Sequence, residues 1–180
     1  LVKKVSDLKS MGFFKGLGTY FEKVQRMRKL AGMLSDELLI SKEKVELSAS
    51  ISKTDLTSDL VSEFPELQGI MGGHLSHAQG FDKDIVDAIK EQYLPLGPDS
   101  VVSKKPYSIT LSLVDKIDTL TGFYGLNEKP SSSKDPYALR RVALGIIRII
   151  IENKKDIKLN DLFSYSQNIY LEQSFKLSND

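Results

Sequence analysis

The stretch GFYGLNEKPSSSKDPYALRRVALGIIRIIIE at 122–152 constrains this chain most, because it joins a turn-rich basic loop to a helix that is apolar almost all round. Lys129, Pro130, Ser131, Ser132 and Ser133 cannot continue a packed element, and Lys134-Asp135-Pro136 reads as a helix start. Asp135 can cap free amides, and Pro136 fits the first helical position, where a missing N–H costs nothing. Beyond it Arg141, Gly145, Arg148 and Glu152 share one face, at spacings of four, three and four. Two arginines on such a helix need carboxylates of the same fold or phosphates of another molecule.

Composition narrows the alternatives. A length of 180 residues permits one domain, or one and part of another, with a sizeable core. The net charge of +1 gives no overall basic field, so any nucleic-acid contact must come from local patches. Without cysteine there are no disulfides, thiolate metal sites or thiol nucleophiles, which fits a cytoplasmic location. The longest apolar run, 142–151, is shorter than a membrane span and contains Arg148, so no membrane partner is expected. The first residues lack the apolar core of a signal peptide, and the absence of an initiator methionine fits an excised piece.

Periodicity is helical nearly throughout and predicts an all-α fold. Thr19 and Glu22 form a capping box that opens a helix to about 34. Further helical segments cover about 42–62, 66–78, 82–93, 107–124, 136–153 and 159–173, the last with Leu162, Phe163, Tyr165 and Ile169 inward. Pro65 either starts a helix or kinks one. Residues 94–106, with three prolines and a glycine, form a loop, and a strand is possible only near 11–17.

Three motifs carry a family resemblance: EFPELQG at 63–69, DKIDTLTGFYG at 115–125 and SKDPYALRR at 133–141. In this order they resemble the β subunit of bacterial heterotetrameric glycyl-tRNA synthetase, over about 17–152. That subunit is much longer, so the chain looks like a fragment from its middle. The pattern departs from the family at Gly73-His74-Leu75, where aromatic residues are more typical. The segment LVDKIDTL is also similar to the last motif of HD-domain phosphohydrolases, whose final aspartate completes a metal shell. Here Asp115 takes that place, while the upstream region offers Lys53, Thr54 and Asp55 and no histidine. The helix over 19–34 also lacks one. The resemblance therefore implies an HD-like helical bundle without HD chemistry. Its domain would span 1–135, with a core about 19–126. Helices over 136–180 would lead towards the anticodon-binding region or pack on the same core.

The resemblance further implies ATP-dependent attachment of glycine to tRNA(Gly) by an α2β2 enzyme. Its α subunit activates glycine with ATP and Mg, and its β subunit handles tRNA. No catalytic, cofactor or metal residue is expected in this chain. His74 and His77 share a helix face but lack a third ligand, and the glycines of 12–18 lack the order of a phosphate loop. Candidate tRNA contacts are Lys129, Lys134 and Arg140, together with Arg141 unless a buried acid takes it, and Arg26, Arg28 and Lys29 form a second cluster. Asp115 and Asp118 lie on one side of their helix with Leu111 and Gly122. They are expected to form structural ion pairs with Arg141 and Arg148 across packed helices. The rival readings are a metal-dependent HD-type phosphohydrolase and a purely structural scaffold.

Overall fold

Thr19 and Glu22 begin the first long helix as their spacing demands. The Thr19 Oγ1 accepts the Glu22 N–H, and the Glu22 carboxylate accepts the Thr19 N–H at 2.6 Å. The computed structural model describes residues 1–178. Its helices are α1 (Tyr20–Glu37), α2 (Lys42–Ile51), α3 (Asp59–Glu63), α4 (Ile70–Ala78), α5 (Lys83–Glu91), α6 (Pro106–Gly125), α7 (Leu139–Glu152) and α8 (Leu159–Glu172). Ahead of them a 3-10 helix (Val2–Ser10) leads into an antiparallel hairpin of β1 (Gly12–Phe14) and β2 (Gly18–Thr19). Gly12 faces Thr19, Phe14 faces Gly18, and the register shifts between them. Gly16 and Gly18 take positive φ there, which a side chain would strain.

α6 is the axis of the all-α bundle, with fourteen of its twenty residues buried. α1, α2, α5, α7 and α8 all pack against it, and residues from 17 to 170 share one apolar core. α8 joins that core through Leu162, Ile169 and Tyr170. The hairpin rings Phe13 and Phe14 stack on Phe123 at the end of α6, and Phe14 and Phe123 also hold Tyr137. That aromatic cluster fixes the loop that precedes α7.

Two expected helices have different bounds. The helix over 42–62 stops at Ile51, and 3-10 turns at Thr54–Thr57 and Pro65–Leu67 flank α3. The Ser52, Thr54 and Ser58 hydroxyls each donate to a carbonyl three residues back, a local bond that competes with continued helix. α7 begins at Leu139, not Pro136. Asp135 still caps it, accepting the Leu139 and Arg140 N–H groups at 2.8 and 3.0 Å across a turn that ends on left-handed Ala138. α7 also leaves Leu144, Ile147 and Ile151 exposed, so its outer face is bare.

Gly122 lets Tyr170 approach α6. A Cβ there would collide with the Tyr170 hydroxyl and lie 2.8 Å from Leu17. Gly122→Ala should therefore cost about 1–3 kcal/mol by overpacking in urea unfolding. Gly97→Ala, where a Cβ meets nothing within 4 Å, should change stability by under about 0.5 kcal/mol.

Candidate functional site

Asp118 is fully buried on α6 and receives a forked guanidinium. Arg26 of α1 places Nε 2.6 Å from Oδ1 and Nη2 3.3 Å from Oδ2. The other side of the fork donates to Gln173, and the Tyr170 ring lies 3.9 Å from the guanidinium carbon. Tyr170 in turn donates its hydroxyl to the Asp118 carbonyl at 3.0 Å. One turn earlier on α1, Lys23 Nζ sits 3.0 Å from both Asp118 Oδ2 and Asp115 Oδ1. Lys53 completes the cluster, with Nζ 2.9 Å from Asp115 Oδ2 and 4.1 Å from the Tyr93 ring centroid. Burial alone would raise the Asp115 carboxyl, but Lys23 and Lys53 outweigh it and hold the group well below its ordinary 3.8.

The residues singled out by the HD resemblance do not gather as ligands. Where a metal would sit on Asp115, the ammonium groups of Lys53 and Lys23 stand. Asp55 turns instead to the start of α4, where Oδ2 accepts the Gly69 and Gly72 N–H groups at 2.7 and 3.1 Å. Its burial raises its pKa, against the smaller pull of those amides and Lys53. The Thr54 hydroxyl only closes its own turn. Among the described residues no three His, Cys, Asp or Glu side chains cluster as a metal site. His74 and His77 lie exposed on α4.

The arginines assigned to the aspartates lie elsewhere. α6 and α7 do pack together, but Arg148 turns to the loop, donating to the Gly97 and Ser100 carbonyls at 2.9 Å and pairing with Glu152 at 2.8 Å. Arg141 is exposed and meets neither aspartate. The second proposed RNA cluster also separates, because Arg26 is buried, Arg28 pairs with Glu46 and Lys29 with Glu172. Lys129 and Lys134 are exposed on the loop before α7, and Arg140 donates to the Ser131 carbonyl. The missed partners had a sequence signal: Lys23 and Arg26 stand on the face of α1 that carries Met27, Leu30 and Leu34 inward.

Asp118→Asn strands Arg26 as a buried cation and takes one of the two carboxylates of Lys23, so urea unfolding should show a loss of about 3–5 kcal/mol. Arg141→Gln should stay within about 0.5 kcal/mol of the parent. Since the folded Asp115 carboxyl titrates below 3.8, its stabilisation is complete above that pH and fades as the pH falls through the folded value. A pH series of unfolding midpoints should show this acid loss, reduced in Asp115→Asn.

Known proteins match the chain over nearly its whole length. Residues 1–179 match the family model described as glycyl-tRNA synthetase beta subunit. Glycine–tRNA ligase beta subunits of Phenylobacterium zucineum, Rhodospirillum centenum and Acinetobacter baumannii are 44%, 43% and 42% identical, over 91%, 88% and 90% of this chain. The matches cover 25%, 22% and 24% of those proteins, so the chain spans about a quarter of their length. A match over nearly every residue, at this identity, means that the chain belongs to the glycyl-tRNA synthetase beta subunit family.

Proposed function

We propose that this chain is the helical segment of a cytoplasmic glycine–tRNA ligase β subunit, serving tRNA handling and scaffolding rather than chemistry. In this reading an α subunit activates glycine with ATP and Mg, and the two subunits assemble as α2β2 to charge tRNA(Gly). The observation that carries the non-catalytic role is the occupancy of Asp115 by Lys53 and Lys23. A carboxylate held between two ammonium groups already has its charge answered, and those two positive charges oppose a divalent ion beside it.

Support for tRNA handling lies in the loop before α7. Ser131 and Lys134 bond each other through N–H to carbonyl at 2.8 Å and N–H to hydroxyl at 3.1 Å, and Asp135 ties the loop to α7. This ordered turn presents Lys129 and Lys134 to solvent beside Arg140. Lysines on such a turn suit phosphate oxygens. A scaffolding role has its own support in the bare stripe of Leu144, Ile147 and Ile151, an apolar face suited to burial against another protein surface.

Lys129→Gln with Lys134→Gln should weaken binding of tRNA(Gly) and flatten its salt dependence, by about one unit of log–log slope for each phosphate no longer neutralised. Unchanged affinity and slope would return the chain to scaffolding alone. ATP–pyrophosphate exchange by this chain in isolation should be absent, and measurable exchange would overturn the division of labour.

A further inference from the structure

Seven Lys, Arg and Asp side chains are buried among the described residues: Lys23, Arg26, Lys53 and Lys116 against Asp55, Asp115 and Asp118. Three of the four cations touch carboxylates. Lys116 does not. Its Nζ lies 2.7 Å from Ser112 Oγ, 3.0 Å from the Leu94 carbonyl and 3.4 Å from the Tyr93 carbonyl, all neutral oxygens. The interior thus holds one cation more than its carboxylates answer, and that cation lies on α6 beneath Gly145 of α7. A Cβ on Gly145 would come within 2.8 Å of the Lys116 stem, so the glycine leaves the space that the stem fills. Burial pulls Lys116 down to about 8, and the smaller opposing pull of Asp115 does not restore it. At neutral pH the group is still mostly charged, and a desolvated charge without a counter-ion is costly.

Lys116 borders an open cleft of about 610 Å³ between the 65–70 turn, the end of α5, α6 and the start of α7. Arg141 and Lys90 lie on the same cleft, both exposed and both without a hydrogen-bond or ion-pair partner among the described residues. Its acids are largely spent: Asp115 is held by Lys23 and Lys53, and Glu91 by Lys105 at 2.5 Å. Only Glu66 remains to face the three cations. The rest of the wall is mainly apolar, with Ile70, Leu96 and Val142. A ligand that suits it carries an oxyanion at one end and a weakly polar body at the other.

We propose that this cleft binds a nucleoside monophosphate unit, free or as an unpaired nucleotide of an RNA strand, with Arg141 and Lys116 holding its phosphate. Arginine at the mouth offers a planar fork to two phosphate oxygens. Lys116 supplies a fixed positive charge from within, trading its longest bond, to the Tyr93 carbonyl, for a ligand oxygen. The free-nucleotide form stands apart from the tRNA reading, whereas the RNA form rests on it.

Adenosine 5′-monophosphate, adenosine and a short oligouridylate, titrated into the chain by calorimetry, form the test. The monophosphate should bind saturably, and adenosine, lacking the phosphate, about tenfold or more weakly. Arg141→Gln and Lys116→Met should each lower monophosphate affinity about tenfold or more, with Lys129→Gln/Lys134→Gln at parental affinity. Lys116→Met also removes a buried cation that no carboxylate answers, so its melting temperature should equal or exceed the parent's. Displacement of the monophosphate by the oligouridylate assigns the site to RNA, and failure to displace it assigns the site to free nucleotide. Absence of saturable monophosphate and oligouridylate binding, or parental affinity in Arg141→Gln, would overturn the proposal. Either result leaves the loop-lysine test of tRNA handling standing, because those lysines lie outside the cleft.

Discussion

The bundle depends on the contact between Arg26 and Asp118. Both side chains are sealed from solvent, and the carboxylate is answered twice, by the guanidinium fork and by Lys23. Neither charge could be buried alone, since an isolated ion in the interior loses its hydration with nothing in return. α1 and α6 must therefore meet along the face where these residues lie. Tyr170 extends the same constraint to α8, stacking on the guanidinium and donating to the Asp118 backbone. Gln173 and the Leu17 carbonyl accept from Nη1 of the same arginine, which brings the hairpin and the end of α8 to one point.

Asp115, which the HD resemblance marks as a metal-ligand position, is held here by ion pairs. It stands on the same helix face as Asp118, with two ammonium groups where a divalent ion would need imidazoles and carboxylates. Lys53 also rests over the Tyr93 ring, whose electron-rich face favours a cation. The charge that a metal would bring is thus delivered by side chains that cannot be chelated away.

Much of this was legible in the sequence, and the rest was hidden for identifiable reasons. Thr19 and Glu22 act on each other across three residues, so spacing alone exposes them. The inward placement of Asp115 and Asp118 followed from helical periodicity in the same way. Their partners did not, because periodicity says which residues share a face but not which helix that face meets. Arg141 and Arg148 stood out as charges on an apolar helix, yet Arg148 satisfies itself on the 94–106 loop. Arg26 suggested an RNA contact instead, although it and Lys23 occupy core positions of α1 among Met27 and Leu30. The early end of α2 was hidden in hydroxyls that compete for carbonyls, which a hydrophobic pattern does not register.

A buried ionic cluster is not the cheapest way to join three helices. Well-packed apolar side chains of similar volume often give equal or greater stability, because they avoid the desolvation of each charge. What the ions add is register. Lys23 lies 3.0 Å from oxygens of Asp115 and Asp118 at once, and Arg26 reaches Asp118 from the next turn of α1. Sliding α1 by one turn, about 5.4 Å, would break every one of these contacts and leave several charges desolvated without partners. An apolar seam of Leu, Val and Ile has no such penalty, since one branched side chain replaces another at modest cost. The same register sets the side of α6 on which Lys116 lies, and with it the charge that the cleft beneath α7 presents.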